Sequence, residues 1–464
     1  MSKKIVVKIL NFSSLLFLFA LIAFSCRNER KFTFSEEKIE FSETDVANSW
    51  AQMTIYITKN TLGNTPTYAS RALGYIGLTM YESIVQGYID EYESIAPSLN
   101  DSIAYKPLFK TISPQKINWI ISLNAGQAEI LRSIYNQTSD YNKFKIDSLE
   151  NLIFESTKYF NKNKIYDFEE SKDYGKSMAV EIFEKSKTDG GHRAYLKNFD
   201  KSLKFDQKPG GWKPPLYGQS ISHFPLHPHW GQNRTFLKEN SIIPDPKFIP
   251  FSVDPKSDYY RQFLAVYKKQ KTLTQAEKEA AIWWGDDPDE TPTPPGHSYF
   301  LASLVLKNKK ASLIKCAETY AKLGMGLSDA FRNCWKWKYH FFSERPNTYI
   351  TEHIDNQWVS FWPDPPFPAF PSGHAIQAAA AATILTDLFG PKIIIVDSTH
   401  VGRKRDEIRN VDFKVRKFSS FWEIANETAN SRFYGGIHTP QDNEAGLIKG
   451  KEIGQNINKL KWKK

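Results

Sequence analysis

Residues 366–388 read PFPAFPSGHAIQAAAAATILTDL and carry the strongest local signals in the chain. The prolines hold an extended approach, Ser372 is a preferred helix N-cap, and the alanine-rich run that follows is strongly helical. The stretch predicts a helix over 374–389 with Ser372, Gly373 and His374 at its start. Free backbone N–H groups and the helix dipole favour an anion there, and Gly373 lets the backbone approach a ligand closely. Taken alone, the stretch also fits a serine cap followed by an incidental Gly-His.

A second stretch, residues 335–346, reads WKWKYHFFSERP and supplies two cations. Lys338 and Arg345 are two helical turns apart, so we expect both to project from one face of a helix that ends just past Arg345, at Pro346. A lone Lys and Arg at this spacing usually mark a solvated face. The Trp and Phe neighbours favour burial instead.

The third stretch, residues 431–442, reads SRFYGGIHTPQD. We expect Arg432 to close a helix, the glycine pair to break it, and His438 to be presented from the turn or helix start that follows. Asp442 is placed to hydrogen-bond the imidazole and fix its tautomer. A histidine in such a place is, by itself, more often structural.

The three stretches supply complementary parts of one site. Three fixed cations neutralise a tetrahedral or trigonal-bipyramidal oxyanion, neutral hydroxyl and backbone donors orient it, and one histidine remains for axial attack. The sequence therefore predicts a single buried site for an oxyanion of this shape.

Apolar residues recur three and four apart through most of the remaining chain, which is typical of helices. Residues 187–255 are instead rich in Gly, Pro and aromatics and are expected to pack as a covering layer. Residues 393–396 and 413–415 are candidates for a short hairpin. We expect one all-α domain over 45–464 with few or no strands, its N-terminal bundle and covering loops in 45–255 and its C-terminal bundle in 256–464. The predicted helices are 46–58, 69–84, 116–135, 147–160, 175–186, 257–269, 275–284, 296–305, 311–339, 374–389 and 421–433.

Composition narrows the class of partner. Apolar residues make up 41% of the chain, as a packed protein needs, and the mean hydropathy of −0.48 argues against a polytopic membrane protein. The net charge of +10 lies partly near the two ends of the chain, and no nucleic-acid reading motif accompanies it. A small anion is therefore a better ligand than nucleic acid.

The N-terminus reads as a targeting segment: a basic start, an apolar run, and small residues before Cys26. We expect residues 1–26 to be a signal peptide of the lipoprotein type, with 27–44 as a polar tether, and an ordinary secretion signal is the alternative. Export to the periplasm or cell envelope, with membrane contact only through a lipid on Cys26, follows from the first interpretation. An oxidising compartment would permit a disulfide between Cys316 and Cys334, and the sequence does not decide whether they pair.

Taken together, the three stretches resemble the full signature of the phosphatidic acid phosphatase type 2 and vanadium haloperoxidase superfamily. Trp335 and Phe367 are similar to the haloperoxidase branch. So is Trp283 with Asp286 and Thr293-Pro294-Pro295, where the haloperoxidase pattern has an acidic residue that pairs with the last arginine, here Arg432. The upstream segment 71–82, RALGYIGLTMYE, looks like part of the first bundle of that fold. The resemblance implies two packed helical bundles and a vanadate cofactor, whose site phosphate can also occupy.

The resemblance also implies a role for each residue. His438 would ligate vanadium axially, and His374 would hydrogen-bond the apical oxygen and act as acid and base. The cations would neutralise the equatorial oxygens, Ser372 and Gly373 would donate hydrogen bonds to them, and Lys338 would make the peroxide electrophilic. The substrates would be hydrogen peroxide, a halide such as iodide or bromide, and a small organic acceptor. The halide, the acceptor and the oligomeric state stay open.

Two other functions remain compatible with these residues. In an acid phosphatase of the superfamily, His438 would become the nucleophile that forms a phosphohistidine, Asp442 would orient it, and His374 would protonate the leaving group. A surface lipoprotein that only binds phosphate or polysaccharide is the third hypothesis. A pure binder needs no apical pair of histidines, which argues against it.

Overall fold

Helices make up nearly all of the regular structure in the computed structural model, which describes residues 39–100, 113–204, 208–215, 222–288 and 290–464. The predicted signal peptide, Cys26 and most of the predicted tether lie outside these residues. Residues Glu40–Lys464 form one unit. The predicted all-α class is confirmed, and none of the described helices is long and apolar enough to cross a bilayer. The α-helices are α1 Glu43–Lys59, α2 Pro66–Glu82, α3 Trp119–Ile134, α4 Asp140–Phe160, α5 Phe168–Ser186, α6 Lys238–Ser241, α7 Asp258–Gln270, α8 Gln275–Trp283, α9 Thr293–Lys309, α10 Leu313–Phe341, α11 Pro346–His353, α12 Gly373–Phe389, α13 Phe421–Tyr434 and α14 Pro440–Asn458.

The start of α12 follows from local sequence. The Ser372 hydroxyl accepts a hydrogen bond from the Ala375 N–H at 3.4 Å, which is the predicted N-cap. The helix begins at Gly373, one residue earlier than predicted, and ends at Phe389 as predicted. Five alanines follow Gln377 along this helix and let its neighbours pack closely against it.

The predicted hairpin is present, with both strands displaced slightly along the chain. Strand β1, Ile395–Asp397, pairs antiparallel with β2, Arg416–Phe418, and Val396 lies opposite Lys417. Asp397 is completely buried, whereas Val396 beside it is exposed. The alternation of a short strand thus places one carboxylate in the interior beside α9.

The expectation that Lys338 and Arg345 share a helix is wrong. Helix α10 ends at Phe341, and Phe342 adopts the left-handed conformation with φ of 53°. Arg345 is the N-cap of α11, and Pro346 is the first residue of that helix. A proline fits the first turn of a helix as well as it ends one, so the sequence alone did not distinguish the two.

The covering layer expected in residues 187–255 is confirmed where the structure describes it. Trp212 and Trp230 are buried, and the Trp212 N–H donates to the Phe342 carbonyl at 2.8 Å. The carbonyl of Leu226 accepts from the Trp335 indole at 3.1 Å. These contacts hold the layer against the end of α10.

Cys316 and Cys334 are both free and buried on α10. Burial raises the pKa of each thiol, to about 12 for Cys316 and about 11 for Cys334. Both are therefore neutral packing groups rather than a disulfide.

Helices α2 and α10 cross where two glycines face backbone of the other helix. A Cβ on Gly324 would lie 2.2 Å from the Leu73 carbonyl oxygen, and one on Gly77 would lie 2.3 Å from that of Tyr320. The hydroxyl of Tyr299 lies between these two oxygens, at 2.9 and 3.0 Å. The close crossing fixes α10, whose last turns carry Trp335 and Lys338.

Replacing Gly324 by Ala should therefore lower the free energy of unfolding by about 1–3 kcal/mol, because two backbones must separate to admit the methyl group. Urea denaturation followed by circular dichroism measures the loss. Glu155→Ala, on the exposed side of α4, is the control and should change stability by less than about 0.5 kcal/mol. Equal stability of the two variants would contradict the close crossing.

Candidate active site

His438 lies in the short link between α13 and α14, with its two ring nitrogens in different surroundings. Nδ1 lies 3.0 Å from the Asp442 carboxylate, which also accepts from the Thr439 N–H at 2.9 Å. Nε2 lies 3.2 Å from Nη1 of Arg345. Because a carboxylate can only accept, Nδ1 carries the proton and Nε2 presents its lone pair towards the cations.

The carbonyls of the proline-rich loop before α12 surround Lys338 and Arg345. Lys338 Nζ donates to the carbonyls of Pro368, Ala369 and Pro371 at 2.9, 2.7 and 2.7 Å. Arg345 donates to the carbonyls of Phe367, Pro368 and Ile437, at distances of 2.9 to 3.3 Å. Since each proline lacks an N–H, this loop offers the cations acceptors with few competing donors. All three ammonium protons of Lys338 are used in this way, so it acts on the site through its charge.

Arg432 and His374 each direct an unused polar atom into the protein. Arg432 donates from Nε to the Ser431 hydroxyl at 3.0 Å and from Nη2 to the Ala281 carbonyl, while Nη1 has no partner among the described residues. The His374 ring hydrogen-bonds the backbone of Gly285, and its Nε2 has no described partner. Two buried nitrogens without partners would each cost of order 1–3 kcal/mol unless a ligand meets them.

The starts of α12 and α14 are tied together directly. The Ser372 N–H donates to the Asp442 carbonyl at 2.9 Å, and a Cβ added to Gly373 would find only ordinary contacts, the nearest 3.7 Å away on Trp335. Nothing in the protein therefore requires a glycine at this position, which agrees with close approach of a ligand. The Ser372 hydroxyl hydrogen stays available because its oxygen is the acceptor in the helix cap.

Aromatic rings cover the cations on one side. Trp335 and Phe367 have ring centroids 4.9 Å apart. Lys338 Nζ lies 5.2 Å from the Phe367 centroid, and the Arg345 guanidinium carbon lies at the same distance of 5.2 Å. Trp362 covers Arg432 at 5.7 Å. Trp335 is buried and Phe367 only partly so, which makes Phe367 the more accessible face of this wall.

The structure thus brings Lys338, Arg345, Ser372, Gly373, His374, Arg432, His438 and Asp442 to one region. A family model for the VCPO second helical-bundle domain matches residues 318–462. Among solved structures, the chain is similar to the first bacterial vanadium-dependent iodoperoxidase, with a TM-score of 0.76, 26% identity, and coverage of 92% of this chain and 99% of that one. Residues 318–462 thus form a second helical bundle of the vanadium haloperoxidase type.

More distant haloperoxidases share the fold. An apo-type bacterial vanadium-dependent chloroperoxidase matches with a TM-score of 0.59 and 14% identity, over 92% of this chain and 95% of that one. A holo-type structure matches with a TM-score of 0.56 and 13% identity, over 92% and 94%. No curated protein matched the sequence.

The buried charges of this site are predominantly positive. Burial lowers the pKa of Lys338 to about 7 and those of Arg345 and Arg432 to about 10. Burial, reinforced by Arg345 and Lys338, holds the pKa of His438 well below its usual range, and burial with Arg432 lowers that of His374. Burial is the main cause for each of these groups, and it disfavours the charged form more than the nearby carboxylates favour it.

An oxyanion would both supply partners for the unpaired buried nitrogens and compensate the positive charge of the site. It would accept from Arg432 Nη1, from the Ser372 hydroxyl and from the first N–H groups of α12, and also from His374 Nε2 once that ring is protonated; its charge would compensate the buried cations. The unprotonated His438 Nε2, which faces the same region, suits a metal centre within that oxyanion or an electrophilic phosphorus. The donor set therefore fits a tetrahedral oxyanion.

The predicted pairing of Asp286 with Arg432 is wrong. Both oxygens of Asp286 are taken, by His297 Nδ1 and by His400 Nε2, each at 2.9 Å. Asp286 and its neighbour Asp287 act on Arg432 only through space, where they oppose the effect of burial on its pKa. The two histidines that replace the arginine as partners come from α9 and from the loop after β1.

The sequence analysis missed Asp364, a buried carboxyl beside the site. Its Oδ1 has no partner among the described residues. Burial raises its pKa to about 7, against the attraction of Arg345, which lowers it. Its position three residues before Phe367 was the only available signal, and a lone Asp among prolines is usually a turn residue.

Asp364 gives a signed test of this electrostatic picture. Its folded-state pKa lies above the unfolded value, so the native state holds the proton between about pH 4 and pH 7, and stability falls as pH rises through that window. The asparagine in Asp364→Asn does not ionise, so this part of the stability should not change with pH. The difference in free energy of unfolding, variant minus wild type, should therefore increase by roughly 2–4 kcal/mol between pH 4.5 and pH 8.

Urea denaturation across this pH range provides the measurement. Asp140→Asn, at a fully solvated carboxylate whose side chain is 99% exposed, is the matched control and should follow the wild type at every pH. If the free energies of unfolding of Asp364→Asn and the wild type differ by the same amount at every pH, the carboxyl ionises with an ordinary pKa.

Proposed function

We propose that this chain is a vanadate-dependent haloperoxidase that uses hydrogen peroxide to oxidise a halide, iodide or bromide first, to a hypohalous species. The observation that carries the proposal is the unprotonated Nε2 of His438, held by Asp442 and directed at a buried group of three cations. The likeness to a bacterial iodoperoxidase over nearly the whole chain supports it. Iodide is the most easily oxidised of the halides considered.

Vanadate would be held by the donors already described. His438 Nε2 would ligate the metal, while Arg432, His374, Ser372 and Gly373 would bind its oxygens, and Lys338 and Arg345 would balance its charge. When bound, vanadate supplies the Lewis acid on which peroxide becomes reactive towards halide. Phosphate has the same shape and charge distribution and would compete for the site.

Asp442 would act by keeping the His438 tautomer fixed, so that Nε2 never carries the proton. His374 would exchange a proton with the bound oxyanion, because its Nε2 has no partner among the described residues and its other nitrogen is engaged by Gly285. The lowered pKa of His374 rises when a negative ligand arrives, which brings it towards the working range of an acid and base.

A phosphatase would use the same residues, with His438 Nε2 attacking phosphorus. The wall formed by Trp335 and Phe367 favours the peroxidase, since an apolar surface beside the cations suits a weakly hydrated halide or an organic acceptor better than a hydrophilic ester. The buried cations would stabilise the bound anion in either reaction, so an activity assay is needed to distinguish the phosphatase from the peroxidase.

The test compares two reactions on one preparation that has been depleted of phosphate and reconstituted with orthovanadate. Iodide and bromide oxidation by peroxide, followed with thymol blue or monochlorodimedone, should appear only after vanadate is added and should be inhibited by phosphate. Hydrolysis of p-nitrophenyl phosphate by the vanadate-free protein should be slow. His438→Ala should abolish halide oxidation, and Asp442→Asn should reduce it by about 10–100-fold through loss of the orienting contact.

Asp140→Asn serves again as the matched carboxylate control and should keep full activity. Rapid ester hydrolysis with no vanadate-dependent halide oxidation would replace the peroxidase by the phosphatase. Inactivity in both assays, with retained phosphate binding, would leave only the binding protein.

We also propose that the chain is exported and anchored to a membrane through a lipid on Cys26, on the strength of the basic start and apolar run that precede this cysteine. Expression with radiolabelled palmitate should label the wild type and leave Cys26→Ser unlabelled and released into the soluble fraction. Equal release of both proteins would favour the ordinary secretion signal.

A further inference from the structure

Beside the anion site lies a second cluster of chemically active side chains, made of Asp286, His297 and His400. One ligand atom from each residue lies within 4.8 Å of the others, and all three residues are buried. The Asp286 oxygens contact His297 Nδ1 and His400 Nε2 at 2.9 Å each. The cluster therefore presents two imidazole nitrogens and a carboxylate to one point in the interior.

The outer contacts of the cluster orient its ligands. Nε2 of His297, the nitrogen that faces away from Asp286, lies 2.9 Å from Asp397. Asp397 itself accepts from the Trp283 indole at 2.8 Å and from the Thr399 N–H at 3.0 Å. A carboxylate behind the far nitrogen is the usual arrangement at a metal-binding histidine, because that contact keeps the far nitrogen protonated when the near nitrogen gives up its proton to a metal.

The charge of the buried carboxylates also favours a bound cation. Asp286 and Asp397 are both buried, and among the described residues neither forms an ion pair with a Lys or Arg. Both nitrogens of His297 face a carboxylate, so in the metal-free protein this ring carries a proton on each, and its positive charge offsets only one of the two buried carboxylates. One divalent cation would replace the proton on Nδ1 of His297 and compensate both carboxylates.

The ligand types select the ion. Two imidazoles with one carboxylate suit a borderline cation such as Zn²⁺, whereas Mg²⁺ and Ca²⁺ require oxygen ligands. Ligands at tetrahedral angles and zinc bond lengths lie roughly 3.3 Å apart, so each of the two histidine–carboxylate contacts, now 2.9 Å, would open by a few tenths of an ångström around a cation. We propose that Asp286, His297 and His400 bind a divalent cation of the zinc class, distinct from the oxyanion site.

The place of this cluster in the fold gives the ion a structural effect. Asp286 follows directly on Gly285, whose backbone holds His374, and the same segment contributes the Ala281 carbonyl that holds Arg432. Asp286 has a left-handed φ of 50°, a conformation that a non-glycine residue adopts only when its surroundings fix it. A bound cation would lock this segment and with it two residues of the anion site.

The test is metal analysis of the purified full chain, first as isolated and then after removal of metal with a chelator and addition of Zn²⁺ or Co²⁺. We expect about one equivalent of zinc per chain and, with Co²⁺, a visible d–d band of the kind that nitrogen ligands produce. His400→Gln should lose this equivalent. Asp397→Asn, which keeps all three ligands, should bind zinc about 10–100-fold more weakly.

His340→Gln is the matched control, since its side chain is 60% exposed and far from the cluster's contacts, and it should bind zinc as the wild type does. Saturating orthovanadate should not displace the zinc, because the anion uses other residues. Circular dichroism checks that each variant is folded, and the wild-type titration needs no variant at all. The proposal is overturned if the wild type binds no zinc, or if His400→Gln binds it equally well.

Discussion

Burial of Lys338, Arg345 and Arg432 is the constraint on which the site depends. Removing three cations from water costs far more than any one packing contact returns, and no carboxylate forms a close ion pair with them among the described residues. Lys338 and Arg345 are stabilised by backbone carbonyls of the loop before α12. Arg432 is only partly satisfied. The site therefore has a positive electrostatic potential, which a bound oxyanion would neutralise.

The proline-rich loop explains how this arrangement is possible. Carbonyl oxygens carry no full charge, so they hold Lys338 and Arg345 in place without neutralising them, as a carboxylate partner would. The same loop leads into the cap at Ser372, and the Ser372 N–H is bound by Asp442, which also orients His438. One short segment therefore positions cations, helix N-terminus and imidazole together, and the geometry is set before a ligand arrives.

The two buried clusters complement each other in charge. The anion site has cations without a counter-ion, and the cluster around Asp286 has carboxylates paired only with imidazoles. They share the end of α8 and the residues that follow it, through Ala281, Gly285 and Asp286. Opposite charges that act on each other through space, without pairing directly, keep Arg432 available to a ligand. This arrangement gives a physical reason for the histidine partners that Asp286 has in place of the arginine.

The sequence by itself determined the features that depend on near neighbours. The cap at Ser372, the helix after it, the Asp442 contact to His438 and the burial of Trp212 follow from residue types and short spacings, and the family signature identified the cations. Only the tertiary structure decided what depends on distant partners. Pro346 fits the start of a helix as well as the end of one, so packing placed Arg345 in a link rather than on α10. Asp286 hydrogen-bonds His297 and His400 and does not pair with Arg432. The tertiary fold brings those two rings within hydrogen-bonding distance, which the order of residues along the chain does not reveal.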